Sequence, residues 1–153
     1  MYNVKGLVMA QKRETVPPPI LLSVIICDQV IIDSMTQKPS IIGAFESLSA
    51  AKYPARHHRL AFFCQLTNGR GKTKITVSLV DVQEEDNIMF QQVIEPEFSD
   101  IRQVINLTFD ISGIVFPHPG EYRFQISAGT EFLGERRIIC RQIKLPSEPK
   151  NDR

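Results

Sequence analysis

The chain has no tryptophan, and only three histidines and three cysteines in 153 residues. Without tryptophan, the Cys…Trp…Cys core signature of antibody-type domains is excluded, and a sugar site lacks its best stacking residue. The cysteine number is odd, and Cys27, Cys64 and Cys140 all fall in predicted strands. That pattern reads as reduced, buried thiols in a cytoplasmic protein rather than a disulfide framework. A dominant charge is also missing: 18 Lys and Arg against 17 Asp and Glu leave +1. This gives no global electrostatic case for nucleic acid or an anionic membrane surface. The charge is uneven along the chain, with ten basic and four acidic residues in 1–74 and eight basic and thirteen acidic in 75–153. Two interleaved sheets would mix these halves in space. No run reaches the ~18 apolar residues of a membrane span, since Ser23, Asp28 and Gln29 interrupt the greasiest stretch. Gly6–Ala10 is too short for a signal-peptide core, and basic residues follow it. No Walker loop, dinucleotide glycine signature or Gly-x-Ser-x-Gly elbow is present.

What the chain does have is alternation. Ile105, Leu107, Phe109 and Ile111 are spaced by polar residues, and so are Tyr122, Phe124 and Ile126. Period two means strands with one dry and one wet face. Between them, Pro117-His118-Pro119-Gly120 cannot continue a strand and marks a corner. Ile20–Asp33 is a long apolar run, expected to bend or bulge near Cys27-Asp28 and to be covered on both sides. Further strands are expected over Ser40–Ser49, Arg59–Thr67, Lys72–Val82, Ile88–Ile94, Val104–Ser112, Glu121–Ala128 and Phe132–Gln142. Ser34–Pro39 is the turn of a hairpin between the first two. Asn68-Gly69 reads as a hairpin turn between the third and fourth. The parity break at Val80 and Val82 predicts another bulge. The expected fold is an all-β, antiparallel β-sandwich of seven to eight strands. Residues 1–19, ending in Pro17-Pro18-Pro19, form an N-terminal arm that could add a strand to a neighbour through Val4–Met9. The sandwich spans 20–144, and 145–153 is a polar tail.

The corner Pro119-Gly120-Glu121-Tyr122, followed by Phe124 and Ile126, resembles the penultimate strand of immunoglobulin-like domains, where a tyrosine packs at the corner. More broadly, four pieces resemble an uncharacterised family of short bacterial β-sandwich proteins, a domain of unknown function. They are Cys27-Asp28, the stretch from Pro39 to Phe45, Leu60-Ala61-Phe62-Phe63, and the stretch from Pro119 to Phe124. The resemblance covers Ile20 to Arg141. It implies the fold and a bacterial source, and it brings no activity.

Candidate chemistry is sparse. His57-His58 is the first place to look for a metal, but neighbouring strand residues face opposite ways and no third ligand has suitable spacing. Cys27-Asp28 lacks the histidine, helix N-terminus or cationic setting of a nucleophile. Glu84-Glu85-Asp86 lacks the alternating ligands of a calcium loop. Arg123, Arg136, Arg137 and Arg141 fit cross-strand ion pairs with Glu121, Glu131 and Glu135. The expectation is therefore a non-enzymatic module with no catalytic residue, cofactor or metal, no nucleic-acid partner and no membrane span. It acts through protein contacts, including self-association as a homo-oligomer. The alternative is a ligand- or carbohydrate-binding module using loops at one end of the sandwich, with Arg56, His57, His58 and His118 as contacts.

Overall fold

The structure, a computed structural model, describes residues 16–147. Most of the expected arm, including Val4–Met9, and most of the expected tail lie outside the described residues. In chain order the strands are β1 (Ile20–Ile32), β2 (Pro39–Ala44), β3 (Ser47–Ala50), β4 (Ala55–Thr67), β5 (Gly71–Lys72), β6 (Ile75–Asp81), β7 (Asn87–Ile94), β8 (Glu97–Phe98), β9 (Ile105–Phe116), β10 (Gly120–Ala128) and β11 (Glu131–Gln142). The only helical turn among the described residues is a 3-10 turn at Val82–Glu84.

One sheet has the order β2-β1-β4-β9 and the other β3-β11-β10-β6-β7, while β5 and β8 form a small separate ladder. All pairings are antiparallel except β3 with β11. Both sheets feed one apolar cluster. Phe62 of β4 lies 5.9 Å from Phe109 in its own sheet and 5.1 Å from Phe124 of the facing sheet, centroid to centroid. Each fully buried ring contributes roughly 1.5–3 kcal/mol of transfer free energy. Alternation placed these residues correctly: β10 reads intermediate, buried, intermediate, buried from Glu121 onward.

Among the described residues, eleven strands replace the expected seven to eight. The expected second strand is two strands in different sheets. Gly43 has φ +67°, and the Asp28 carboxyl group opposite it occupies the place a Cβ would take. The chain leaves the first sheet there. Phe45 N–H donates to Ile26 O at 2.9 Å, and the next residue, Glu46, accepts through its carbonyl from Ile139 N–H at 3.1 Å in the other sheet. The expected fourth strand also splits, into β5 and β6, and the stretch between the strands expected at Ile88–Ile94 and Val104–Ser112 supplies β8. Asn68-Gly69 is not a hairpin turn, since β4 and β6 belong to different sheets. Phe98 covers Gly69 where a side chain would sit, so glycine is needed to seat that buried ring.

Three further readings shift. β1 does not bulge at Cys27-Asp28; its register with β4 slips between Leu21 and Ser23. At Cys27 it instead changes partners, pairing β4 before that residue and β2 after it. The bulge expected near Val80 is present, between Leu79 and Val80, against β7. Finally, β9 runs through Gly113 to Phe116, so the corner contracts to Pro117–Pro119.

Candidate functional site

The most organised polar cluster sits at the corner between β9 and β10. Strand β6 presents Ile75, Val77, Leu79 and Asp81 inward, so the alternation that buries three aliphatics also buries an acid, 1% exposed. A buried carboxyl group needs partners. The Asp81 Oδ1 accepts from Gln83 N–H at 3.1 Å. Its Oδ2 lies 2.7 Å from His118 Nε2. With its amide nitrogen turned towards them, Gln83 donates to Glu121 O and Asp81 Oδ1 and accepts from Glu121 N–H at 2.9 Å. The Gln83 amide covers Gly120, leaving no room there for a side chain.

His118 Nδ1 meets Pro119 O at 2.9 Å. Both ring nitrogens therefore face acceptors, which favours the doubly protonated imidazolium. The Pro119 carbonyl and the Asp81 carboxylate raise the His118 pKa above its ordinary value, against a smaller opposing effect of burial. The ring stacks on Tyr122, centroids 5.5 Å apart. The Tyr122 hydroxyl donates to His118 O at 2.6 Å and accepts from His118 N–H at 3.3 Å. Burial pushes the Tyr122 phenol up to about 12. Chemically, the cluster is a staple: every strong donor and acceptor of Asp81 and His118 is already engaged inside the fold.

The four residues expected to contact a ligand do not form one set. His57 and His58 lie on β4 rather than in a loop. His57 points inward, 5.8 Å from the Phe45 ring, and its Nε2 is buried without a hydrogen-bond partner. It borders a cavity of about 80 Å³ shared with Tyr53 and Cys140. His58 is exposed. The Arg56 guanidinium lies against Gly113 of β9, and His118 is held by Asp81. These four residues share no hydrogen bond or ring contact with one another. Sequence reading missed Asp81 and Gln83. The signal for Asp81 was its parity, since it continues the alternate series Ile75, Val77 and Leu79.

Cys27, Cys64 and Cys140 are unpaired and buried. Burial pushes the Cys64 and Cys140 thiols up to about 12 and raises Cys27 as well. The Cys27 thiol donates to Ala61 O at 3.7 Å. On the outer face of the β10–β11 pair, Arg123 sits opposite Arg137. Glu121 at 2.7 Å and Glu135 at 3.2 Å hold Arg123, and Glu121 lies 4.0 Å from Arg137. Among the described residues no group of three or more His, Cys, Asp or Glu side chains could hold a metal ion. No helix among them is long and apolar enough to cross a membrane.

No curated protein matches the chain. Among solved structures, it is similar to an immunoglobulin-like protein from Pseudomonas aeruginosa, with 15% identity over 82% of this chain and 98% of that one, at a TM-score of 0.42. It is similar to the alkylpurine DNA glycosylase AlkC of Pseudomonas fluorescens, with 11% identity over 77% of this chain and 30% of that one, at 0.43. It is also similar to a β-glucosidase of Listeria innocua, with 10% identity over 83% of this chain and 17% of that one, at 0.43. The chain thus spans under a third of either enzyme's length, and likenesses with scores this low transfer neither substrate nor chemistry. A family model matches residues 22–141, nearly the whole of both sheets, and the chain belongs to that family, the family of unknown function DUF6941.

Proposed function

We propose that the chain is an immunoglobulin-like sandwich that works without catalysis, through protein contacts that include self-association, in a bacterial cytoplasm. Three observations support the architecture: the two sheets sharing one core, the parallel β3–β11 closure, and Tyr122 bonding back to the corner four residues upstream. Absence of catalysis fits a histidine whose two ring nitrogens are both engaged, beside three buried thiols. A reducing compartment fits the unpaired cysteines.

The observation that carries the reading is the hairpin made by β2 and the second half of β1. Past Cys27, β1 pairs with no strand but β2 among the described residues. This hairpin leaves Ile31, Ile32 and Ile42 exposed, with Met35 at its turn 91% exposed. Large side chains of this kind, clustered on one projecting element, mark a contact surface. Light scattering on the full chain at micromolar concentration is expected to give a mass above 17.4 kDa. The double variant Ile31→Lys, Ile42→Lys should return it to a monomer with unchanged circular dichroism. A monomeric wild type would count against self-association.

A further inference from the structure

Where the two sheets meet beside β3, the fold encloses a polar atom that it does not use. The β4–β9 ladder sets Ala55 opposite Phe116 and His57 opposite Ile114. The β3–β11 ladder sets Leu48 opposite Cys140. β1 pairs with β4 only as far as Ala61, so Phe45 packs on the His57 ring instead of a strand, centroids 5.8 Å apart. Two alanines face the space that remains, Ala50 from one sheet and Ala55 from the other, and neither is long enough to fill it. The result is a cavity of about 80 Å³.

Its walls are apolar at Leu48, Ala50, Ala55 and Phe116, and polar at His57, Tyr53 and Cys140. His57 Nε2 is fully buried and has no hydrogen-bond partner, whereas buried polar atoms are ordinarily paired. The Tyr53 hydroxyl donates to Arg141 O at 2.9 Å, which leaves its oxygen able to accept. Burial keeps Cys140 a neutral thiol, a weak donor. One small space is thus lined by a ring nitrogen, an acceptor oxygen and a donor sulfur. Cavities that stay dry are apolar, and a buried water takes about three polar partners. Among the described residues no acid lines the cavity. Arg56, the one permanently charged residue on the lining, carries its guanidinium over Gly113 of β9. The site therefore suits a neutral guest. Size narrows the choice: a cavity of ~150 Å³ admits benzene, so about half that volume takes roughly three heavy atoms, or about two waters at ~30 Å³ each.

We infer that this cavity binds a neutral hydroxyl group at His57 Nε2, carried by a guest of no more than about three heavy atoms. Water and a short-chain alcohol share that chemistry. Each bonds Nε2 through its O–H, and the alcohol adds a short carbon chain against Leu48 and Phe116. The guest ties β4 of one sheet to the β3–β11 closure of the other. This site is separate from the hairpin, and its test leaves the protein-contact reading untouched.

The test has two arms, both on the full chain. A high-resolution crystal structure grown without alcohol is expected to show water density within hydrogen-bond distance of His57 Nε2. Titration with ethanol, followed by nuclear magnetic resonance at the Ala50, Ala55 and Cys140 amides, is expected to give saturable shifts in the millimolar range, the tightest that so few atoms support. His57→Leu removes the nitrogen and should clear the water density and weaken ethanol at least tenfold. Ala55→Val fills the cavity from another wall, should do the same, and serves alone if His57→Leu does not fold. Both variants are checked for wild-type circular dichroism. Water density without a saturable ethanol shift supports the inference with water as the guest, and saturation by ethanol without water density supports it with the alcohol. A cavity dry in the crystal and silent to ethanol would overturn it. Density and ethanol binding left unchanged by the variants would overturn it as well.

Discussion

At the residue scale, the corner depends on the protonation of one ring. His118 titrates above the usual ~6.5 because its two nitrogens face Pro119 O and Asp81. A group with a raised folded pKa contributes stability that is fully present below its unfolded value. That contribution is lost as pH rises through the folded value. The urea midpoint of the protein should therefore fall as pH rises from the usual ~6.5 through the raised value, and His118→Gln should flatten that slope. Parallel slopes in the two proteins would show that the staple does not titrate as described. This pairing could not be read from the sequence, because Asp81 and His118 are 37 positions apart. His118 between two prolines was legible only as a turn residue.

At the scale of elements, sequence patterning located β7, β10 and β11 to within a residue at each end, and in β10 the alternation is also that of the burial. It failed where a glycine answers to a distant side chain. Gly69 makes room for Phe98, and Gly43 for Asp28, and local patterning carries neither fact. Gly43 permits a prediction. Its φ of +67° costs a residue with a Cβ roughly 1–2 kcal/mol, and the collision with Asp28 adds to that. Gly43→Ala should lower unfolding free energy by at least ~1 kcal/mol, measured by chemical denaturation. Adding Asp28→Ala should recover only the part due to collision. Full recovery in the double variant would mean that the backbone angle is not strained.

For the molecule as a whole, one interior serves both sheets. Phe62 is fully buried and touches rings in each. Phe62→Ala should cost about 3–5 kcal/mol, a large share of the ~5–15 kcal/mol that holds a domain of this kind together. Loss of cooperative near-ultraviolet melting would report it, whereas a loss below ~1 kcal/mol would mean that the two layers are not packed against each other there. Composition and alternation indicated this shared interior, since they require the apolar faces to be buried. They did not indicate which strand lies next to which. The sheet assignments of β2 and β3 follow from hydrogen bonds to Ile26 and Ile139, partners more than ten and more than ninety residues away.

The parallel pairing of β3 with β11 also bears on how the protein is made. Among the described residues Ser47–Ala50 has its only ladder partner in Ile139–Gln142, so a ribosome that has delivered everything up to Ala128 has released a chain whose second sheet still lacks the strand that joins β3 to β10. Until β11 leaves the exit tunnel, β10 offers a bare flank to any other polypeptide nearby. Chaperone capture during synthesis should therefore concentrate between the emergence of β10 and that of β11.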